Sequence, residues 1–185
     1  MKLLDAVNTV LPFMGEHPVT TVESSRHPTV DLIVAAIDRH RLTMLSEGYW
    51  FNEETHKILV NTDGRINVPE TALAVSGIDC DVNIEGEYFY DVANHTFQFT
   101  KPITVKLSIA KPFEHLPYTF AMLLTYKAGV DVYTADFGVE SAIQVMNSRV
   151  IEYGEKLHQE ELNHRRYNGV RQTVRRLRGY NLYWR

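Results

Sequence analysis

Two Glu-x-x-His motifs, Glu155-Lys156-Leu157-His158 and Glu161-Leu162-Asn163-His164, hold the residue types of a carboxylate–histidine metal site. In di-iron bundles such motifs bind metal when they face each other from different helices. Here both fall on one helical stretch, six residues apart, so they point about 240° from one another and cannot share an intramolecular site. They read as parts of an exposed, charged helix. Glu53 and Glu54 are the residue type a glycosidase uses, but two adjacent acids on a loop read as solvated charges. Cys80, the single cysteine, lies between Asp79 and Asp81. Negative neighbours raise a thiol pKa, which argues against a reactive nucleophile. The chain has no His-Glu-x-x-His, Gly-x-Ser-x-Gly, Walker loop or Gly-x-Gly-x-x-Gly. The residues therefore nominate no catalytic residue, no metal site and no cofactor.

The C-terminus is a different matter. From Asn163 to Arg185 there are seven arginines, no lysine and no acid, although the whole chain has a formal net charge of −4. The preceding 162 residues hold 12 basic and 23 acidic side chains, a net −11. An acidic body with a basic tail is the main signal in the composition. Arginines with interleaved aromatics have three readings. They neutralise phosphates while rings stack on bases, they anchor an arm in an acidic protein groove, or they form a solvated terminus. The closing Tyr180, Leu182, Tyr183 and Trp184 weigh against the last of these.

The elements that must position this arm follow from periodicity. Leu3, Val7, Val10, Leu11 and Met14 predict a helix from about Lys2 to Met14, ended by Gly15 and Pro18. Val30, Ile33, Val34, Ile37, Met44 and Leu45 predict a second, from Thr29 to Glu47. The Tyr49-Trp50-Phe51 run just beyond it reads as a loop anchored in a core. From Lys57 to Ile109 the spacing changes to short β-type runs: 58–60, 66–68, 72–78, 88–90, 96–99 and 104–109. Within them 88–91 and 96–99 look like an antiparallel hairpin. Helical spacing returns after Pro117, through Phe120, Leu123, Leu124 and Ala128. It resumes from Val139 to His164 or beyond, with Ile143, Met146, Val150, Tyr153 and Leu157 as a bundle seam.

The expected architecture is α+β: an antiparallel bundle of about four helices with an inserted small antiparallel β-sheet subdomain and an extended C-terminal arm. The expected division places the bundle at 1–56 and 112–165, the β insertion at 57–111 and the basic aromatic arm at 166–185. The chain has 185 residues, with 44% hydrophobic and 23% charged, so it can bury a core. It contains no apolar run of the length a membrane span needs. Its first residues do not read as a secretion signal. With one cysteine, no internal disulfide and no cysteine zinc cluster can form.

Several segments resemble a known family. Leu4 to Leu11, followed by Met14-Gly15-Glu16-His17-Pro18-Val19, is similar to the N-terminal signature of the tail tubular protein A family of short-tailed bacteriophages: an Ala-Val-Asn-x-x-Leu helix closing on Gly-Glu-x-Pro-Val. Leu45 to Asn52 resembles that family's Arg-Gly-Trp-x-Phe-Asn stretch, with Glu47 in place of the arginine and Tyr49 shifting the tryptophan by one. Tyr90-Asp91, Phe97 and Pro102-Ile103-Thr104-Val105 match a Tyr-Asp…Phe…Ile-Thr-Val run. Phe113 to Pro117 with Phe120 and Lys127-Ala128 resembles the family's helix entry. The likeness spans about residues 3–155 in consistent order.

The resemblance implies a structural virion protein, made in the host cytoplasm and placed in the tail at the portal vertex. It implies a dodecameric ring, the adaptor or gatekeeper between the portal and the tail nozzle (tail tubular protein B type). Genome DNA would pass through the lumen on ejection without specific binding, and no membrane is involved. Acids lining such a lumen would repel the DNA backbone. In this reading Arg171, Arg175, Arg176, Arg178, Tyr180, Tyr183 and Trp184 grip the portal, and the β insertion meets the nozzle or the neighbouring subunit. Two other readings stand beside it: a tail-associated hydrolase of cell-surface polysaccharide, and a small DNA-binding protein that uses the arginine arm.

Overall fold

The computed structural model describes residues 1–23, 27–138 and 141–180, with side chains on the last helix described from 143 to 165. Helix α1 (Leu3–Val10) begins where Asp5 accepts the Lys2 amide at 3.3 Å, and it passes into a 3-10 turn, Leu11–Met14. Val7, Val10, Leu11 and Met14 are buried as their spacing requires. The chain then doubles back. The Asn8 side chain donates to the Val19 carbonyl at 2.9 Å and accepts the Val19 amide at 2.8 Å. Asn8 thus pairs an extended segment as a strand neighbour would, which gives a physical reason for the helix and the Pro-Val segment to occur together. Glu16 reaches the next element: it accepts the Thr29 hydroxyl at 2.8 Å and lies 3.5 Å from His27.

Helix α2 (Pro28–Ser46) starts with proline in its first turn and buries Val30, Ile33, Ala36, Ile37, Met44 and Leu45. It stops at Gly48, whose φ is 79°. A Cβ there would stand 2.9 Å from both Glu53 and Ser108, so the exit needs glycine twice over.

Helix α3 (Tyr118–Phe137) is the centre of the bundle. Phe120 to Thr125, Ala128, Gly129, Val132 and Tyr133 are buried, so it is covered on nearly every side. Gly129 lets Val10 and Met146 approach to 3.3 and 3.1 Å from where a Cβ would be. Helix α4 (Ser141–Tyr180) runs antiparallel to α3 along the expected seam. Gly129 sits against Met146, Tyr126 stacks on Tyr153 at 5.8 Å, and Thr119 donates to Glu160 at 2.7 Å. Asp131 ties α3 to α2 by accepting from His40 at 2.8 Å and Arg39 at 3.1 Å.

The β part departs from the expected pairing. Strands β1 (Glu53–Ile58), β2 (Ala72–Gly77) and β5 (Ile103–Ile109) form an antiparallel sheet in the order β1-β5-β2. Glu53 faces Ser108, Ile58 faces Ile103 and Gly77 faces Val105. Strand β4 (Tyr88–Asp91) pairs with β3 (Val82–Glu85), not with 96–99. Asp91 folds the chain into a local turn by accepting the Asn94 amide at 2.9 Å and its side chain at 2.8 Å. One bridge to Thr96 forms, and then the Phe99 amide turns to the Gly64 carbonyl. The 66–68 run makes a single bridge, Asn67 to Tyr88, and of the 58–60 run only Ile58 belongs to a strand. Alternate β5 residues Ile103, Val105 and Leu107 point into an apolar cluster with Ile66, Val82, Phe89 and Phe99. That cluster is separate from the larger one between the helices.

The arm also differs from expectation. Residues 166–180 continue α4 as helix rather than forming a separate extended segment, and 181–185 lie outside the described residues. Arginine, glutamine and leucine are good helix formers, and one interior glycine at 169 costs only about 1 kcal/mol against alanine.

Asn52 joins the two parts. It is fully buried; its amide donates to Leu45 O at 2.8 Å and Ile109 O at 3.1 Å, and its carbonyl accepts the Tyr49 amide at 2.8 Å. Asn52→Ala should lower unfolding free energy by about 3 kcal/mol, because three backbone groups lose their partner. Asn52→Asp should lower it further, because a carboxylate cannot donate to the two carbonyls. Urea denaturation of the two variants against wild type checks both. On α4, nothing lies within 4 Å of where a Gly154 Cβ would stand. Gly154→Ala should therefore raise stability by about 0.5–1 kcal/mol, measurable in the same titration.

Candidate functional site

The described geometry converges on the place where α4 leaves the bundle. Gly48 turns the chain out of α2, and the next three residues seat against α3. Tyr49 and Phe51 both meet the Phe120 ring edge-on at 5.1 Å. Trp50 packs on Phe51 at 5.0 Å and turns its other side outward, where it stacks on His164 at 4.8 Å with the planes 10° apart. The Trp50 amide donates to Glu161 at 3.3 Å, and Glu161 also holds Arg165. The Tyr49 hydroxyl donates to Glu47 at 3.0 Å. Burial first, then the charges of Glu47 and Glu161, hold the Tyr49 phenol well above its ordinary pKa, so it stays a donor. The aromatic loop is a clamp on α4 over residues 161–164.

Beyond the clamp α3 has no more length to offer. It begins at Tyr118, level with Glu160. Helix α4 continues to Tyr180, a further 20 residues, or about 30 Å at 1.5 Å per residue. Arg171, Arg175, Arg176, Arg178 and Tyr180 lie on this extension, whereas Tyr183 and Trp184 lie outside the described residues. By the helical repeat, positions 171, 175 and 178 share a face and 176 lies on another. Positions 167, 170, 174 and 177, which are Tyr, Val, Val and Leu, fall at i, i+3, i+7 and i+10. That spacing was legible in the sequence, but it acquires meaning only once the arm is known to be helical.

The candidate chemistry is resolved by position. Glu161 and His164 are committed to the clamp; the Glu161 side chain is only 12% exposed, whereas His164 is exposed, as the charge pattern suggested. Glu161 is covered because the aromatic loop sits over it, with the Trp50 amide donating to its carboxylate. His158 and Glu155 are exposed, and no group of three or more metal-ligating side chains occurs among the described residues. Glu53 and Glu54 are neighbours on β1, so they point to opposite faces. Glu53 pairs with Lys106 at 2.6 Å, and Glu54 with Lys111 at 3.6 Å and His56 at 3.3 Å. They tie the strand to its surroundings and do not form a dyad.

A cleft of about 350 Å³ lies beside the clamp, between the end of α2, α3 and α4. Met44, Leu123, Val150 and Leu157 form its apolar lining, Gly154 borders it, and Glu47, Lys127 and His158 stand at the rim.

Two outcomes follow. Trp50→Ala removes the stack on His164, so amide exchange over residues 160–165 should speed up roughly tenfold while the α3 core stays protected. Hydrogen–deuterium exchange with peptide resolution reads this. The Cys80 thiol is pushed up to about 11, by burial first and then by Asp79. Alkylation at pH 8 should therefore run roughly a hundredfold slower than for a free cysteine, and accelerate as pH climbs toward 11.

The comparisons with known proteins agree with one another. Residues 4–167 match the family model described as tail tubular protein. Tail tubular protein A of Klebsiella phage KP34 is 30% identical over 170 residues, which span 91% of this chain and 91% of that protein. With nearly the whole length covered by both, the chain belongs to the tail tubular protein family and is a structural component of a bacteriophage tail.

Proposed function

We propose that this tail protein is a ring-forming adaptor that joins the portal at the capsid vertex to the tail nozzle and lines part of the DNA ejection channel. Family membership over residues 4–167 carries the reading. The division of charge supports it. A body of net −11 suits a passage for DNA, because carboxylates repel the phosphate backbone, and the seven arginines are gathered at one end where they can hold a partner. The shape of the chain supports it too. The helices and the β strands bury separate apolar clusters, so the molecule offers two different ends to two different neighbours.

In this reading the bundle (1–56 and 112–165) and the β insertion (57–111) are the two working parts. The arm, carried outward by α4, grips the portal through Arg171, Arg175, Arg176, Arg178, Tyr180, Tyr183 and Trp184. The β insertion faces the nozzle or the neighbouring subunit. Twelve copies form the ring, by the family resemblance, through a head-to-tail contact that closes by rotation. The role is mechanical and calls for no catalysis and no cofactor.

Light scattering after size exclusion, on the protein alone and mixed with portal rings, is the direct test. The expected result is a ring of about twelve copies, or a monomer that becomes ring-bound when portal is added. Removing residues 170–185 should leave the melting transition in place and abolish portal attachment. A truncated chain that binds portal as wild type does would remove the arm from this role. Strong, steeply salt-dependent DNA binding by the full chain would favour a nucleic-acid reading instead.

A further inference from the structure

The clamp that directs α4 contains a side chain that changes charge near neutral pH. His164 is exposed, and its ring lies flat on Trp50, with centroids 4.8 Å apart and planes 10° from parallel. Trp50 is half-buried and packs edge-on against Phe51 at 5.0 Å, so the indole is a seated platform rather than a free rotor. A neutral imidazole stacks there by dispersion. A protonated one adds the attraction of a cation for the negative face of the indole. Histidine ordinarily gains and loses that proton between about pH 5 and 8, and an exposed ring exchanges it freely with water. The charges around the ring favour the same direction. On α4, Glu161 and Glu160 lie three and four residues back, on the side of the helix that His164 occupies, and Arg165 follows directly. Glu161 holds the Trp50 amide and Arg165, and Glu160 accepts the Thr119 hydroxyl of α3. The aromatic loop brings Glu47, bonded to the Tyr49 phenol. Strand β1 brings Glu53, which pairs with Lys106 and whose charge reaches Arg165. Residues 118–126 of α3 hold no acidic, basic or histidine side chain.

We propose that Trp50 and His164 form a pH-dependent latch on the last helix: protonation of His164 tightens the stack and holds α4 to the bundle at its exit, and loss of the proton loosens it. The clamped state binds this proton more tightly than the open one. The extra hold is therefore fully present below the range in which histidine titrates, and it fades as pH rises through that range. Arg165 opposes the proton, but its guanidinium is already paired with Glu161. The neutral stack persists above the range, so the latch slackens without releasing. An exposed contact of a cation with an indole changes the ratio of closed to open states by about two- to fivefold. The device belongs to the single chain and operates whether or not copies assemble into a ring. What it alters is how firmly the extension of α4 is aimed.

The test is hydrogen–deuterium exchange of the full chain, with peptide resolution, at about pH 5.5 and about pH 7.5. Each rate is divided by the intrinsic rate of its amide at that pH. Over residues 160–165, opening of the wild type should be about two- to fivefold rarer at the lower pH. His164→Gln and Trp50→Leu should each remove that difference. His158→Gln, six residues earlier on the same helix and outside the clamp, should keep it. Equal protection of the wild type at both pH values, or greater protection at the higher one, would overturn the proposal. A pH difference that survives His164→Gln would overturn it as well. Fluorescence supplies a second measurement that needs no change in the clamp. With Trp184→Phe, Trp50 is the only tryptophan left. An imidazolium in contact with an excited indole quenches it by accepting an electron. Trp50 emission should therefore fall in one transition as pH drops from about 8 to 5. Emission that stays level across that range would show that His164 does not carry its proton against the indole, and the latch would be gone.

Discussion

The side chain of Asn52 holds two structures together. A bundle of helices and a set of short strands each bury their own apolar cluster, and Leu73 of β2 packs against the helical one. What connects them is a fully buried amide that satisfies a carbonyl at the end of α2, a carbonyl at the end of β5 and an amide in the aromatic loop. A buried amide with all its partners is specific because any other arrangement would leave polar groups unpaired away from water. The Ile109 amide adds a bond to the backbone carbonyl of Asn52, at 2.9 Å. Gly48 makes this packing possible, since any side chain there would collide with Glu53 and Ser108. The helix exit, the loop, the first strand and the last strand are therefore set by one small region.

That region also governs the part of the molecule that reaches outward. Once the loop is seated, its aromatic side chains have two directions. Tyr49 and Phe51 go inward onto Phe120, and Trp50 goes outward onto His164. The same loop thus completes the core and holds the last helix at its exit. The ion pairs on α4 near this point, Glu152 with Arg149 and Lys156, and Glu161 with Arg165, are exposed pairs at helical spacing on at least one side and contribute little individually. Direction comes from stacking and burial.

The chemistry suggested by residue type dissolves in the same geometry. A Glu-x-x-His motif becomes a clamp because an aromatic loop lies over it. A carboxylate pair becomes two strand-edge ion pairs because alternate residues of a strand face opposite ways. Cys80 keeps its proton, because burial first and then Asp79 both push its pKa up. What remains is a molecule whose distinctive features are surfaces and a projecting helix, as suits a tail protein.

Helix positions were legible in the residues because apolar side chains at helical spacing can be buried only on one face; α1 to α3 lie, and α4 begins, within a few residues of where proline, glycine and that spacing place them, while α4 runs on to Tyr180. The α+β order and the division of charge were legible for the same kind of reason, since both are properties of local composition. Pairing was not. Strand β1, Glu-Glu-Thr-His-Lys-Ile, has no apolar alternation, and it is a strand only because β5 offers it an edge. The spacing offers Tyr88 to Asp91 only 96–99 as a partner; the strand pairs instead with Val82–Glu85, a segment local spacing did not single out, and Asp91 and Asn94 close a turn on its other side. The arm's composition was plain, but whether it was coil or helix depended on α4 being held firmly enough to continue. Sequence by itself determined what each segment could bury. Tertiary structure decided which segments meet, because hydrogen-bond partners and packing neighbours come from parts of the chain that local spacing cannot see.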